Sequence, residues 1–454
     1  MSRRRLLGLA ALLGLAFAAI PVPAMALSAP RTLAATRAIG ALDGLGPAIE
    51  ASFPIDFLAL SWTAGDEPWV RFRRGAGWGS WSIAHEDEIP VSGGRTWSRL
   101  IPAEGADGYQ VLGRAEGMRG EALNTTDGPR SLVWATVEAH ATHIAQPAVI
   151  SRAEWGADES LRFEADGTEK SGRTFYPTGK LIVHHTVTAN DDPDPAATVR
   201  AIYAYHVNGR GFADIAYNFL VDAQGRIYKG RYSGPQNTTD QDTPTGENAL
   251  GYGVTGAHTG GWNSGTMGIA ILGDHTSTPI PEPARAALVQ HLAWESERHA
   301  LDPLATTTFT SPASGSTKTV PNISGHREWT PTACPGETLF EVLPAIRQEV
   351  AAYTGAILAA DTAPPIVRKI EARRLKRRSA VIRWRTDEPA TGRVRYREKG
   401  GKRRVTKVDW DLTKLHVMRL PGLDRGTRYH YEVISRDAAG NAAKGRQKRF
   451  KTKG

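Results

Sequence analysis

From about Phe53 to Ala139 apolar and polar positions alternate in short runs: Phe57-Leu58-Ala59-Leu60-Ser61-Trp62, Trp69-Val70-Arg71-Phe72-Arg73, Tyr109–Leu112 and Leu132–Val137. Glycine-rich turns such as Gly75-Ala76-Gly77 separate them, so residues 51–145 are predicted to form an all-β domain. Residues 27–50 hold Ala, Gly and Pro without a clear period and read as a linker. Over residues 148–355 the pattern changes. Strand-like runs at Leu181–His184, Tyr217–Val221, Arg226–Tyr228 and Met267–Leu272 are interspersed with helical spacing over Ala196–Val207, Ala284–His299 and Leu339–Tyr353. The expectation is an α/β domain, a central mixed sheet flanked by helices. Pro281 and Pro283 open its second helix and Asp302-Pro303 stops it. Gly234–Asn248 reads as a polar insertion and Thr306–Thr319 as an exposed Ser/Thr-rich loop. After Pro364-Pro365, Ile382, Trp384, Val394 and Tyr396 alternate with basic residues, which predicts a C-terminal β-sandwich over 363–454 with one packed and one cationic face.

The amino terminus changes the picture of where the chain works. Met1-Ser2-Arg3-Arg4-Arg5, an apolar run from Leu6 to Ile20 and an Ala24-x-Ala26 exit read as a signal peptide over 1–26. The run is short for a membrane span, and no later stretch is long and apolar enough. The expected location is therefore secreted, in the cell wall or periplasm, by the general or the twin-arginine route. Charge is uneven. Ala363–Gly454 carries 28 Lys+Arg against 9 Asp+Glu, while the preceding 362 residues carry 28 against 38. A tail of net +19 on an acidic body points to a polyanionic partner.

Candidate chemistry gathers around Cys334, the only cysteine, eight residues after His326. A single cysteine forms no intramolecular disulfide, and a thiolate metal ligand explains it. Upstream, the apolar run Leu181-Ile182-Val183 leads into His184-His185. Two histidines and a cysteine with a fourth position open is the composition of a catalytic zinc. His185 should point away from His184 along a strand. Six of the twelve tryptophans fall in the N-terminal β region, where they are expected mainly to fill its core. His140, His143, His206, His291 and His299 read as surface or packing residues.

Seven ordered blocks extend this reading: Ile150–Ala157, Val183–Thr186, Asp214–Val221, Gly225–Arg231, Gly256–Asn263, Gly268–Asp274 and Ile323–Gly336. Together they closely resemble the peptidoglycan recognition protein family, whose catalytic members are zinc N-acetylmuramoyl-L-alanine amidases of the phage lysozyme type. The resemblance implies Zn2+ held by His184, His326 and Cys334, with peptidoglycan as partner. It implies catalytic roles for Tyr217, matching a tyrosine that hydrogen-bonds the zinc water, and for Thr332, at a position that is Lys in phage enzymes. It makes His258 and Asn263 substrate-binding residues. The Gly234–Asn248 stretch is longer than the family's usual passage and resembles an insertion near the groove. Non-catalytic members typically lack the cysteine, so a recognition protein that only binds muropeptide is the alternative, and an adhesin-like scaffold a third. Residues 363–454 resemble a fibronectin type III domain through the turn at Leu420–Leu423 and the Tyr429-x-Tyr431 strand. For an exported wall hydrolase, anionic cell-wall polymer rather than nucleic acid is the expected partner of the basic tail.

Overall fold

The computed structural model describes residues 25–87, 94–135, 144–235, 242–248, 250–360, 362–398, 400–402, 404–437 and 439–454. Nearly all of the expected signal peptide, and both His140 and His143, lie outside the described residues.

The middle of the chain folds around six strands. They are β1 (Val149–Ile150), β2 (Lys180–His185), β3 (Phe219–Val221), β4 (Ile227–Lys229), β5 (Thr266–Ile271) and β6 (Ile323–Gly325), in the order β1-β4-β3-β5-β2-β6. Only the β3–β4 pair is antiparallel, so the sheet is mixed, as expected. Both faces of β2 and β5 are buried, which is why these strands read as continuous apolar runs. Helices α2 (Glu282–Arg298) and α3 (Glu337–Ala360) cover one face. Leu288, Leu292 and Trp294, with Leu339, Leu343 and Ile346, pack there on Leu181, Val183 and Ile269. On the other face α1 (Pro195–Ala204) places Val199 and Ile202 against Leu220 and Ala270. Strand alternation thus sends Val183 toward α2 and α3 and its neighbour His184 toward the side of α1.

The N-terminal region is all-β, but it starts earlier than expected. Residues 27–50 are not a linker. Met25–Pro30 pairs with Arg130–Ala135, and Leu33–Trp62 forms a long hairpin arm with Ile101–Asn124. Register shifts between Ala38 and Gly40, Gly40 and Leu42, and Leu45 and Ala48 break the period-two pattern. Ile55, Leu58, Leu60, Val70, Tyr109, Val111 and Met118 fill the core with Trp62 as its one fully described buried tryptophan. Trp69 is 42% exposed, and Trp78 and Trp81 flank the Arg71 guanidinium at 4.8 and 4.6 Å. The tryptophans therefore mostly decorate this region rather than fill it.

This region is bound to the α/β region by a shared core. Ala59, Leu100 and Leu123 cluster with Val199, Ile202 and Tyr205. The Tyr205 hydroxyl donates to Asp87 at 2.8 Å, Arg210 pairs with the same carboxylate, and Arg200 donates to the Thr125 carbonyl at 2.6 Å.

A further expectation is corrected. Thr306–Thr310 and Thr317–Pro321 form a hairpin, not a loop, with Phe309 and Val320 turned inward. The strands of the C-terminal region are joined into one curled sheet. Its long strand Ser379–Glu398 bonds Asp409–Pro421 along one half and Arg428–Arg436 along the other, which joins both halves around Ile382, Trp384, Leu420 and Val433.

Candidate metal centre

Parallel β2 and β6 end side by side, with Leu181 opposite Ile323 and Val183 opposite Gly325. His184 is the penultimate residue of β2, and His326 begins a one-turn helix directly after β6. The turn is held by Glu328, which accepts the Gly325 N–H at 2.7 Å and pairs with Arg347 at 3.2 Å. Glu328 is thereby committed to the backbone rather than to chemistry. The chain then returns. Arg327 donates its N–H to the Cys334 carbonyl at 2.9 Å, and Thr332 Oγ1 accepts the Cys334 N–H at 3.2 Å.

The result is a convergence of His184, His326 and Cys334, all buried, with one ligand atom from each within 4.8 Å of the others. Cys334 Sγ lies 3.6 Å from His184 Nδ1, and the two imidazole centroids are 4.6 Å apart. Tetrahedral zinc with Zn–S of about 2.3 Å and Zn–N of about 2.0 Å separates two such ligands by ~3.6 Å. The donor set and this spacing fit the metal.

The second nitrogen of His184 is also assigned. Nε2 meets His258 Nδ1 at 3.0 Å, and a proton donated there leaves the Nδ1 lone pair facing Cys334. His258 Nδ1 also meets Thr259 Oγ1 at 3.0 Å. Burial, with smaller effects of His326 and Arg231, pulls His258 down to about 3. Burial first, then neighbouring histidines, lowers His184 well below the usual imidazole range. Both rings are neutral at ordinary pH, which leaves no proton to compete with a metal. The His258 ring occupies space that only glycine leaves free: a Cβ on Gly268 would sit 2.4 Å from its Cγ.

The structure places the other expected residues as follows. Tyr217 is buried, its ring 5.4 Å from that of His184 and 5.7 Å from that of His206. His258 is buried behind His184 instead of opening to a groove. Asn263 Oδ1 accepts the Thr259 N–H at 2.8 Å and so clamps the Gly256–Asn263 loop. Thr332 shapes the turn that presents Cys334. His185 turns to His275, whose N–H its Nδ1 accepts at 3.1 Å.

A cleft opens over the cluster, lined by Tyr217, Ile202, Tyr205 and His206 and, from the N-terminal β region, by Asp87, Arg99 and Leu100. His206 is brought in by a single π-helical turn, Tyr205–Gly209, that continues α1. It lies on the sheet-facing side of that helix, one turn after Ile202, a signal that helical spacing could have given. Nothing local marks Asp87 or Arg99.

Residues 175–337 match the N-acetylmuramoyl-L-alanine amidase family model. The chain is 30% identical over 133 residues to peptidoglycan-recognition protein 1 of Holotrichia diomphalia, covering 29% of this chain and 54% of that protein. It is also 30% identical over 213 residues to the N-acetylmuramoyl-L-alanine amidase of Homo sapiens, covering 46% of this chain and 30% of that one. The chain thus spans about half of the first relative and under a third of the second. Among solved structures, wild-type Drosophila PGRP-LB aligns at 24% identity with a TM-score of 0.30, over 43% of this chain and 92% of that one. The matched stretch is thus similar to both amidases and recognition proteins, and it contains His184, Tyr217, His326 and Cys334 together.

Proposed function

We propose that this chain is a zinc-dependent N-acetylmuramoyl-L-alanine amidase that hydrolyses the amide between the lactyl group of N-acetylmuramic acid and the L-alanine of the peptidoglycan stem. The observation that carries the reading is the meeting of Cys334 with His184 and His326 at the floor of a cleft that Tyr217 also lines. Bound there, zinc would supply a water acidified toward a pKa of about 7 and polarisation of the scissile carbonyl. The chain's own residues do the rest. His258 holds the His184 ring, and Gly268 makes room for it. Tyr217 offers a hydroxyl group beside the ligands to hold or pass a proton during departure of the amine. His206, neutral because burial draws it down to about 3, backs the Tyr217 ring and accepts the Ala216 N–H at 3.1 Å through Nδ1. Arg99, paired with Asp274 at 3.5 Å, puts a cation on the cleft wall for the carboxylates of a stem peptide.

We assign export to the 1–26 segment and wall retention to the basic C-terminal sheet. No helix among the described residues is long and apolar enough to cross a membrane. The test is release of free L-alanine amino termini from purified peptidoglycan. Wild-type protein should release them, and Cys334→Ser should not while still cosedimenting with sacculi. Binding by the wild type without release would leave only the recognition reading.

A further inference from the structure

Outside that centre the described residues hold one more convergence of metal-binding side chains: Glu247, Glu295 and His299. Glu295 and His299 stand one turn apart at the end of α2, and Glu247 comes from the polar insertion. All three side chains are at most 4% exposed. His299 Nε2 lies 3.1 Å from Glu295 Oε2 and 3.2 Å from Glu247 Oε1, yet neither contact has hydrogen-bond geometry. His299 Nε2, Glu247 Oε1 and both Glu295 oxygens are thus sealed from water with no hydrogen-bond partner. Arg298 pairs with the other oxygen of Glu247, whereas Glu295 has the imidazoles of His299 and His291 beside it. His291, a turn earlier, stands 3.6 Å from Glu295 Oε1 with both ring nitrogens unpartnered.

Burying two carboxylates at one point is costly unless a cation joins them. The separations suit a small tetrahedral cation. A tetrahedral zinc with Zn–N and Zn–O of about 2.0 Å holds its ligands ~3.3 Å apart, close to the two distances observed. One imidazole and two carboxylates without thiolate suit zinc or a neighbouring first-row divalent ion.

We propose that Glu247, Glu295 and His299 bind a divalent transition-metal ion, zinc in the first instance, which fastens the 242–248 segment to α2. The ion serves structure. It closes buried ligands around itself and ties a polar insertion to the helix behind the central sheet.

The test counts zinc in the full-length chain after equilibration with zinc sulfate and removal of the excess, using inductively coupled plasma mass spectrometry. Wild type should hold about two ions, and Cys334→Ser, which disables the cleft centre, about one. Adding Glu247→Gln or His299→Gln to Cys334→Ser should bring the count to none. Zinc should raise the thermal midpoint of Cys334→Ser but not of Cys334→Ser/Glu247→Gln. A Cys334→Ser chain that holds no zinc overturns the proposal, because it makes the cluster a bare ion-pair network around His299. A wild type and a Cys334→Ser chain that each hold one ion would uphold this site and remove the metal from the cleft. If His299→Gln fails to fold, the count in Cys334→Ser alone still decides.

Discussion

The two ligand clusters are built from similar spacings but in opposite surroundings. His184, His326 and Cys334 come from the ends of adjacent parallel strands and meet at the floor of a cleft. Glu247, Glu295 and His299 come from the end of α2 and the 242–248 segment, among Phe219, His291 and Trp294. The first offers two imidazoles and a thiol on a cleft that solvent and substrate can approach. The second offers two carboxylates that have no such approach and need a counter-charge. Access and net charge, rather than ligand distance, separate a centre suited to activate water from one suited to hold chain segments together.

The largest expected effect breaks or upholds the open side of this comparison. Cys334→Ser should take amide hydrolysis to background while thermal unfolding still shows a folded chain, because only a cleft-facing ligand is lost. Concurrent collapse of the fold would mean that the cleft cluster is structural too. Next comes Asp87→Ala, which removes a carboxylate shared by Tyr205 and the buried Arg210. Breaking such a buried pair should cost about 3 kcal/mol in denaturant unfolding. A loss under about 1 kcal/mol would show that the cleft wall is held by apolar packing alone.

Glu121 sharpens the closed side, since it shows what a buried carboxylate does when no cation joins it. Burial raises it to about 7. Between its ordinary value and 7 the folded chain then holds the proton that the unfolded chain releases, so stability falls as pH rises through that window. The full cost, about 3 kcal/mol, is present above pH 7. Glu121→Gln should therefore stabilise the protein at pH 8 and change little near pH 4.5, as read by urea midpoints at both values. A gain of the same size at both pH values would refute the assignment. The smallest effect belongs to Tyr217→Phe. It should lower kcat by about 10²-fold with an unchanged zinc count, as removal of a positioned proton-handling group does. Equal turnover would leave Tyr217 as packing for His206.

How much of this could be read from the chain depended on whether the signal was local. Strands such as Leu181–His184 and the helix over Leu339–Tyr353 carry their period in sequence, and their burial follows from it. Leu33–Trp62 does not. Its register shifts near Gly40, Leu42 and Leu45 take successive apolar residues off one face, so a strand reads as a linker. The Thr306–Pro321 hairpin is similarly veiled because threonine looks alike on either face, with only Phe309 and Val320 to mark the inner one. At the site, ligand types and spacing made His184, His326 and Cys334 legible. The position of His258 behind His184 depends on the absence of a Cβ at Gly268, on a neighbouring strand. Asp87 and Arg99 reach the cleft only through docking of the β region, which no window of sequence reports. His299 reads as a packing residue because its partner Glu247 lies 52 residues away in the chain.

That docking decides what can be exchanged between proteins. Ala59, Leu100 and Leu123 complete the packing of α1, and Asp87 answers the charge of Arg210. A chain cut to begin at residue 148 would bare an oily face and strand a guanidinium. Borrowing the cleft-bearing half for a fusion, or grafting it onto another module, therefore means carrying the N-terminal sheet along as inseparable luggage. Recombination that respects this seam should yield soluble chimeras, whereas joints placed inside it should yield inclusion bodies.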